Sequence, residues 1–390
     1  SYNERALEKA GYENNPLEDE SLSSYQVIHP QITTMASETA KALGLDPKGA
    51  ARTKNMFCLG MVYAIFDFSL ETPFKLLDKK FKSNKDMADI NKKVMEQGYI
   101  FAENLELLES TVQVSQVQLE KGRYRNITGN LATAWGLIAA SERSGRKLFL
   151  GSYPITPATD ILIELAKHKS LGVKVFQAED EIAGICSAIG ASFAGAMACT
   201  STSGPGLSLK TEALGLAVMT ELPLVVVDVQ RGGPSTGLPT KSEQSDLNMA
   251  LFGRNGEAPC IIIAAASPGD CFYQAYNAAK YAMETMTPCI LLTDGYIGQG
   301  SELFRIPKVA DLPSITPPVA TPNDPNYKPY RRDPETLVRQ WAIPGMEGLR
   351  HRVGGLEKSD GVGAVSTDPL NHEKMVKYRK DKVERLADRI

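Results

Sequence analysis

Apolar positions along this chain fall into two regimes. From Gly129 to Asp294 six short apolar runs recur: KLFLGSYP (147–154), VKVFQ (173–177), AMACTSTS (196–203), PLVVVDVQ (223–230), PCIIIAAA (259–266) and PCILLTD (288–294). Between them lie longer stretches of helical period, among them LATAWGLIAASERSG (131–145), TPATDILIELAKHKSLG (156–172) and a segment of small residues from Glu181 to Ala196. Asn130 is the expected N-cap of the first helix, and Gly145 its stop. Strands and helices in strict alternation predict an α/β fold with a doubly wound parallel sheet. Ligands of such sheets bind outside the carboxyl ends of the strands. Three informative loops fall there: Tyr153–Thr159, Ser201–Gly206 and Arg231–Gln244.

Before Gly129 the pattern changes. Residues 1–25 are polar and predict an irregular entry, and Gln31–Leu43 reads as an amphipathic helix. Asn55–Phe68 (NMFCLGMVYAIFDF) is apolar on nearly all sides and predicts a buried helix. Further helices follow from Pro73 to Phe81 and from Asp86 to Gly98. This helical block carries no strands of its own. Residues 104–124 read as an extended linker. Beyond Pro307 a Pro-rich tract cannot enter a central strand and is expected to run over the surface, and Asn371–Ile390 reads as a highly charged helix. The Lys79–Lys82 and Lys374–Arg385 runs are expected to be solvated helix faces.

Composition narrows the function. The 390 residues are 43% hydrophobic and 23% charged, with a formal net charge of −3. That balance fits a globular protein and argues against nucleic-acid binding. No apolar run approaches the ~20 residues of a membrane span. The six cysteines (Cys58, Cys186, Cys199, Cys260, Cys271, Cys289) include no CxxC pair. Four of them sit inside apolar strand or helix patterns and read as buried free thiols of a cytoplasmic protein rather than ligands of zinc or an iron–sulfur cluster, so no metal site is expected on this chain. The four histidines, His29, His168, His351 and His372, lie near no motif. Acid–base chemistry would have to rest on a carboxylate.

The leading carboxylate is Glu181. Glu179, Asp180 and Glu181 follow a strand and open a helix of small residues. Acids are favoured at a helix N-terminus, but the small-residue surface behind them also invites close approach by a backbone or a ligand. Ser203-Gly204-Pro205-Gly206 lacks both the Walker ending and the GxGxxG spacing, and reads as a tight turn touching a ligand. Arg231 ends an apolar strand and is followed by Gly232, Gly233, Ser235, Thr236, Thr240 and Lys241. A planar cation, flexible backbone and hydroxyls in one loop suit an anionic small molecule with carboxylate oxygens.

Tyr153-Pro154-Ile155-Thr156-Pro157, the Gln177–Glu181 acid run, Thr200–Gly206 and RGGPSTGLPTKSEQSDL together resemble the α subunit of 2-oxoacid:ferredoxin oxidoreductases, in particular the 2-oxoglutarate type with fused γ and α parts. The resemblance runs from about Gly129 to Asp294. It implies the C-terminal part of a γ domain at 1–103, a linker at 104–124 and a thiamine-diphosphate pyrimidine-binding domain at 125–305. A Pro-rich linker and charged helix at 306–390 would then lead to a C-terminal domain outside this sequence, with the first part of the γ domain also missing. The resemblance further implies that Glu181 faces the N1′ nitrogen of the cofactor's aminopyrimidine, in a small apolar pocket that would raise the acid's pKa. Tyr153, Pro154, Ile155, Ser203 and Gly204 would line the cofactor. Thr156, Arg231 and Thr240 match substrate-binding positions; Lys241, Ser235 and Thr236 are candidates for a second, distal carboxylate. A Gly-Asp-Gly…Asn diphosphate motif is missing, and Thr293-Asp294-Gly295 reads as a strand end.

Magnesium and a [4Fe-4S] cluster are therefore expected on a β subunit that shares thiamine diphosphate, in an (αβ)2 heterotetramer. The implied reaction is oxidation of 2-oxoglutarate to succinyl-CoA with coenzyme A as co-substrate and ferredoxin as acceptor. The same chemistry on pyruvate or a branched-chain 2-oxoacid, and a non-catalytic assembly role, stay open at this point.

Overall fold

In the computed structural model, residues 4–105, 114–115 and 117–387 are described; the remainder of the expected 104–124 linker lies outside them. The chain divides into two compact units, Ser1–Glu120 and Lys121–Ile390.

The first unit is helical: α1 (Glu4–Lys9), α2 (Ile32–Ala42), α3 (Pro47–Ala51), α4 (Lys54–Ile65), α5 (Glu71–Lys80) and α6 (Lys85–Glu103). Asp46 and Asn84 cap α3 and α6 by accepting from backbone N–H groups three residues on. Ala36, Ala40, Ala50, Phe57, Ile90 and Val94 form the core. The apolar Asn55–Phe68 stretch is not buried all round, as its composition predicted. Only Phe57, Gly60 and Ala64 of α4 are buried. The reason is a close helix crossing: a Cβ on Gly60 would collide with the Met95 carbonyl, and one on Gly98 with the Phe57 carbonyl. One face thus makes the whole contact with α6, and residues such as Val62 remain outside.

The second unit opens with β1 (Tyr124–Thr128) and α7 (Gly129–Ser144), followed by β2 (Leu148–Ser152), α8 (Thr159–Ala166), β3 (Lys174–Gln177) and α9 (Glu181–Phe193). Next come β4 (Met197–Thr202), α10 (Gly204–Thr220), β5 (Leu224–Gln230), α11 (Leu247–Phe252), β6 (Ile261–Ala264), α12 (Asp270–Thr285), β7 (Pro288–Asp294), α13 (Gly295–Gln299) and β8 (Ser301–Arg305). The last helix is α14 (Pro369–Ala387). Six strands form one parallel sheet in the order β3-β2-β4-β5-β7-β6. Alternation along β5 shows why helices cover both faces. Val225, Val227 and Val229 join the core under α7, α8 and α12, whereas Leu224 and Val226 join the core under α9 and α10.

Chain order reverses between β2 and β4, which places a ligand crevice between the loops that follow those two strands. Ser152 and Ser201 staple them there: Ser152 Oγ lies 2.8 Å from the Ser201 carbonyl and 3.0 Å from its Oγ.

Three expectations change. Thr128, not Asn130, caps α7; Asn130 instead donates Nδ2 to the Pro157 carbonyl at 2.8 Å, tying α7 to the Tyr153–Thr159 loop. An antiparallel β1–β8 ribbon, unforeseen in the pattern, pairs Tyr124 with Arg305. The Pro-rich tract is irregular, yet it plants Tyr330, Arg339 and Trp341 in the interior.

Nor is α14 merely solvated, because Met375, Arg379, Lys382 and Leu386 are buried. Arg379 pairs with Glu257 and Glu357. Lys382 donates to Glu221 at 2.8 Å, and Arg332 binds the same carboxylate through both terminal nitrogens. Glu221 ends α10 in the left-handed region, 2% exposed, and Arg339 donates to its carbonyl.

Candidate functional site

The site lies at the carboxyl ends of β2, β4 and β5 and at the start of α9. There Asp180 takes extended backbone and accepts from Ala183 N at 2.7 Å, which makes it the N-cap of α9. A cap spends its carboxylate on the helix. Glu181, one residue on, is half-buried, and its carboxylate accepts no hydrogen bond among the described residues. Facing it is Gly206 in the first turn of α10. A Cβ there would collide with Thr202 Oγ1 and stand 2.9 Å from Glu181 Cγ. Glycine at 206 thus creates the space in which the Glu181 side chain sits.

Part of the small-residue surface of α9 serves packing. Ser187 and Gly184 lie so close to β2 that a Cβ on Gly151 would strike both. Ala183, Cys186 and Gly190 remain exposed.

Arg231, 6% exposed, is placed by β5 beneath two loops. Its Nη1 donates to the Thr156 carbonyl at 2.6 Å and its Nη2 to the Thr236 carbonyl at 3.0 Å, while Nε has no partner. The guanidinium therefore clasps the Tyr153–Thr159 loop to the Ser235–Gly237 turn. Gly232 N donates to the Lys241 carbonyl at 2.9 Å and closes this turn into a short ribbon. Ser235, Thr236, Thr240 and Lys241 all present exposed side chains on it, as does Thr156 on its own loop. Tyr153 is exposed; Pro154 and Ile155 are half-buried, Ile155 against the core. Ser203 is buried with its hydroxyl unpartnered, and Gly204 leaves room for Asp246, whose Oδ2 would be 2.6 Å from a Cβ.

Several residues that carry the site gave no motif signal. Asp228, on the α9–α10 face of β5, is fully buried with both oxygens unpartnered and meets the Asp246 carboxyl. Burial first, and then the Asp246 charge, push its pKa well above the ordinary carboxylate range. The neutral form of Asp228 is thereby favoured beside Asp246. Asp246 N donates to Gln230 Oε1 at 2.9 Å and Gln244 Nε2 to Asp294 Oδ2 at 2.7 Å, so the end of the 231–246 loop is fastened to the strand ends. Asp294 also caps α13, which accounts for Thr293-Asp294-Gly295 as a strand end. Lys210 of α10 lies beneath Glu181 and donates to its carbonyl at 2.7 Å. The one sign of it in the sequence is a lone lysine one helical turn after Gly206. Among the described residues no group of three His, Cys, Asp or Glu side chains could hold a metal ion, and no helix is long and apolar enough to cross a membrane.

A six-stranded parallel sheet with its crevice at the reversal between β2 and β4 is the fold of a thiamine-diphosphate pyrimidine-type domain. Residues 143–368 match the family described as pyruvate flavodoxin/ferredoxin oxidoreductase, thiamine diphosphate-binding, and residues 8–101 match pyruvate ferredoxin/flavodoxin oxidoreductase. The chain belongs to this family of 2-oxoacid oxidoreductases.

It is 50% identical to the 2-oxoglutarate oxidoreductase subunit KorA of Mycobacterium tuberculosis over 98% of this chain and 58% of that protein. It is 37% identical to the 2-oxoglutarate synthase subunit KorA of Methanothermobacter marburgensis over 68% of each. Among solved structures, the 2-oxoglutarate:ferredoxin oxidoreductase from Magnetococcus marinus, with 2-oxoglutarate, coenzyme A and succinyl-CoA bound, superposes with a TM-score of 0.81 at 35% identity. That match covers 90% of this chain and 59% of the other. The chain thus spans less than two thirds of the length of the Mycobacterium and Magnetococcus proteins.

Proposed function

We propose that this chain supplies the pyrimidine side of a thiamine-diphosphate-dependent 2-oxoglutarate:ferredoxin oxidoreductase, with Glu181 as its catalytic acid. One observation carries the assignment: Glu181 is a half-buried carboxylate with no hydrogen-bond partner among the described residues, set in space that Gly206 keeps open. Such a group fits the ring nitrogen of an aminopyrimidine, which can share a proton with it. Bound thiamine diphosphate would supply a nucleophilic thiazolium carbon and an electron sink for decarboxylation.

Within this reading Glu181 holds the shared proton between its carboxylate oxygen and N1′. Tyr153, Pro154, Ile155, Ser203 and Gly204 line the cofactor crevice. Thr156 and Thr240 meet the 2-oxoacid, and Arg231 fixes the two loops that frame its carboxylate. Ser235, Thr236 and Lys241, exposed together on one turn, suit the distal carboxylate that separates 2-oxoglutarate from pyruvate.

The domain reading follows: 1–103 as the end of a γ-type domain, 104–124 as a linker, 125–305 as the pyrimidine-binding domain and 306–390 as the segment leading out of it. A β subunit in an (αβ)2 heterotetramer would contribute diphosphate contacts, magnesium and the [4Fe-4S] cluster; coenzyme A would accept the acyl group and ferredoxin the electrons. The free cysteines suit a cytoplasmic enzyme. Exposed apolar side chains around the crevice, among them Phe176, Ile182, Leu238 and Tyr296, suit coverage by another subunit.

The test is Glu181→Gln in the complex co-purified with its partner, assayed by reduction of ferredoxin or a viologen with 2-oxoglutarate and coenzyme A. Loss of acid–base assistance should lower turnover by at least about 10²-fold while assembly persists. Near-normal turnover sinks the assignment. Faster turnover of pyruvate than of 2-oxoglutarate by the unaltered complex overturns the substrate alone.

A further inference from the structure

Lys210 is an ammonium group in a costly place. Its side chain is 0% exposed, and its one hydrogen bond among the described residues is the 2.7 Å contact to the Glu181 carbonyl. It forms no ion pair there, although an ammonium has three N–H groups to satisfy. It also lies against the first turn of α9, where the helix dipole is already positive. The fields of Glu181, Asp180 and Cys186 oppose these penalties, and Asp180 is committed to capping. Burial prevails and brings the Lys210 pKa down to about 8. A lysine that served only to fill space could be replaced by methionine without cost. A charge kept under such conditions points to a use for the charge.

We propose that Lys210 is a positioning residue for Glu181: it holds the first turn of α9 through the Glu181 carbonyl and keeps a positive charge behind the carboxylate. The proton that carboxylate shares with the pyrimidine nitrogen then lies toward the ring nitrogen. This rests on the reading that Glu181 meets the aminopyrimidine. The titratable groups facing Lys210 are Glu181, Asp180 and Cys186 of α9. Glu212 lies on its own helix, and the Asp228–Asp246 pair lies beside the start of that helix at Gly204. Among these Lys210 is the group that loses its charge near pH 8, so the cofactor's ring protonation and the turnover should share an alkaline limb there.

The experiment compares Lys210→Met, Lys210→Arg and Glu181→Gln in the complex with the partner subunit. The readouts are the pH dependence of the bound cofactor's circular dichroism, which reports its ring form, the dissociation constant for thiamine diphosphate, and the pH profile of kcat. Lys210→Met should shift the dichroism midpoint by about one pH unit and lower kcat about tenfold. Lys210→Arg should restore the wild-type dichroism and abolish the limb near pH 8, since a guanidinium does not titrate there. A wild-type profile in Lys210→Met, with Glu181→Gln inactive, overturns the Lys210 proposal and leaves Glu181 standing. Wild-type behaviour in Glu181→Gln overturns the reading beneath it. Should Lys210→Met fail to assemble, an alkaline limb persisting near pH 8 in Lys210→Arg overturns the proposal by itself.

Discussion

Glu221→Gln probes the charge cluster that binds the Pro-rich tract and α14 to the sheet domain. Arg332 and Lys382 both bond the Glu221 carboxylate, and their side chains are almost as buried as Glu221 itself. Glutamine keeps the shape, and the carbonyl that Arg339 binds is untouched. What disappears is the one negative charge in contact with these two cations among the described residues. Removing one partner of a buried pair costs about 3–5 kcal/mol. Here part is recoverable, because burial already lowers the Lys382 pKa to about 8. Neutralising that lysine at pH 7 costs about 1.4 kcal/mol, one pKa unit. We expect a loss of about 3 kcal/mol in guanidinium unfolding at pH 7.

The pH dependence follows from the sign of each shift. The cations hold Glu221 well below its ordinary value of 4.5, so its contribution is complete above that value and disappears only as pH falls through the depressed pKa. The gap between wild type and variant should widen as pH falls from 7 toward 5, because the variant's folded state leaves Lys382 short of a proton that the unfolded state binds, and close below. Lys382 behaves oppositely: its folded pKa lies below its ordinary 10.5, so unfolding takes up protons between about 8 and 10.5, and stability gains from this group as pH rises through that window. Adding Lys382→Met to Glu221→Gln should recover about 1–2 kcal/mol, since a neutral pair avoids the orphaned charge. A single variant within about 0.5 kcal/mol of wild type would refute the reasoning, and so would losses that simply add in the double variant.

Other perturbations address the site. Gly206→Ala should cost about 1–3 kcal/mol by overpacking against Thr202 and should displace Glu181. Pairing it with Thr202→Ala should return thermal stability but not turnover of the assembled complex, because the Glu181 contact remains. Asp228→Asn should raise or preserve stability at pH 8. The raised pKa of Asp228 means the folded state binds more protons than the unfolded state above pH 3.8, so this group's contribution falls as pH rises. An amide donates to Asp246 at any pH, and unfolding midpoints of the two proteins should converge near pH 4. A large loss at pH 8 in Asp228→Asn counts against the proton-sharing pair.

The sheet was legible because its central strands β4, β5 and β7 are buried on both faces and read as short continuous apolar runs between turns. Glu181 stood out as a candidate because an acid opening a helix of small residues is an unusual local pattern, and the helix does begin there. What stayed hidden depends on partners distant in sequence. The β1–β8 ribbon joins Tyr124 to Arg305, two polar-flanked strands with no shared local signal. Arg379 and Lys382 look solvated within their charge run until Glu257, Glu357 and Glu221 arrive from other elements. Asn130 satisfied the statistics of a cap, yet Thr128 took that role and freed its amide for Pro157. Lys210 and Asp228 acquire meaning only when α9, α10 and the strand ends come together.

The Arg231 clasp has a consequence for how this site can change. Both of its bonds end on main-chain oxygens, those of Thr156 and Thr236. Main-chain acceptors are indifferent to the side chains they carry, so residues 156 and 236 can be exchanged without untying the loops. The frame is thereby separated from the readout. Under the proposed function, drift in the exposed side chains of the 235–241 turn would retune which acid fits, while the backbone frame around it is inherited intact.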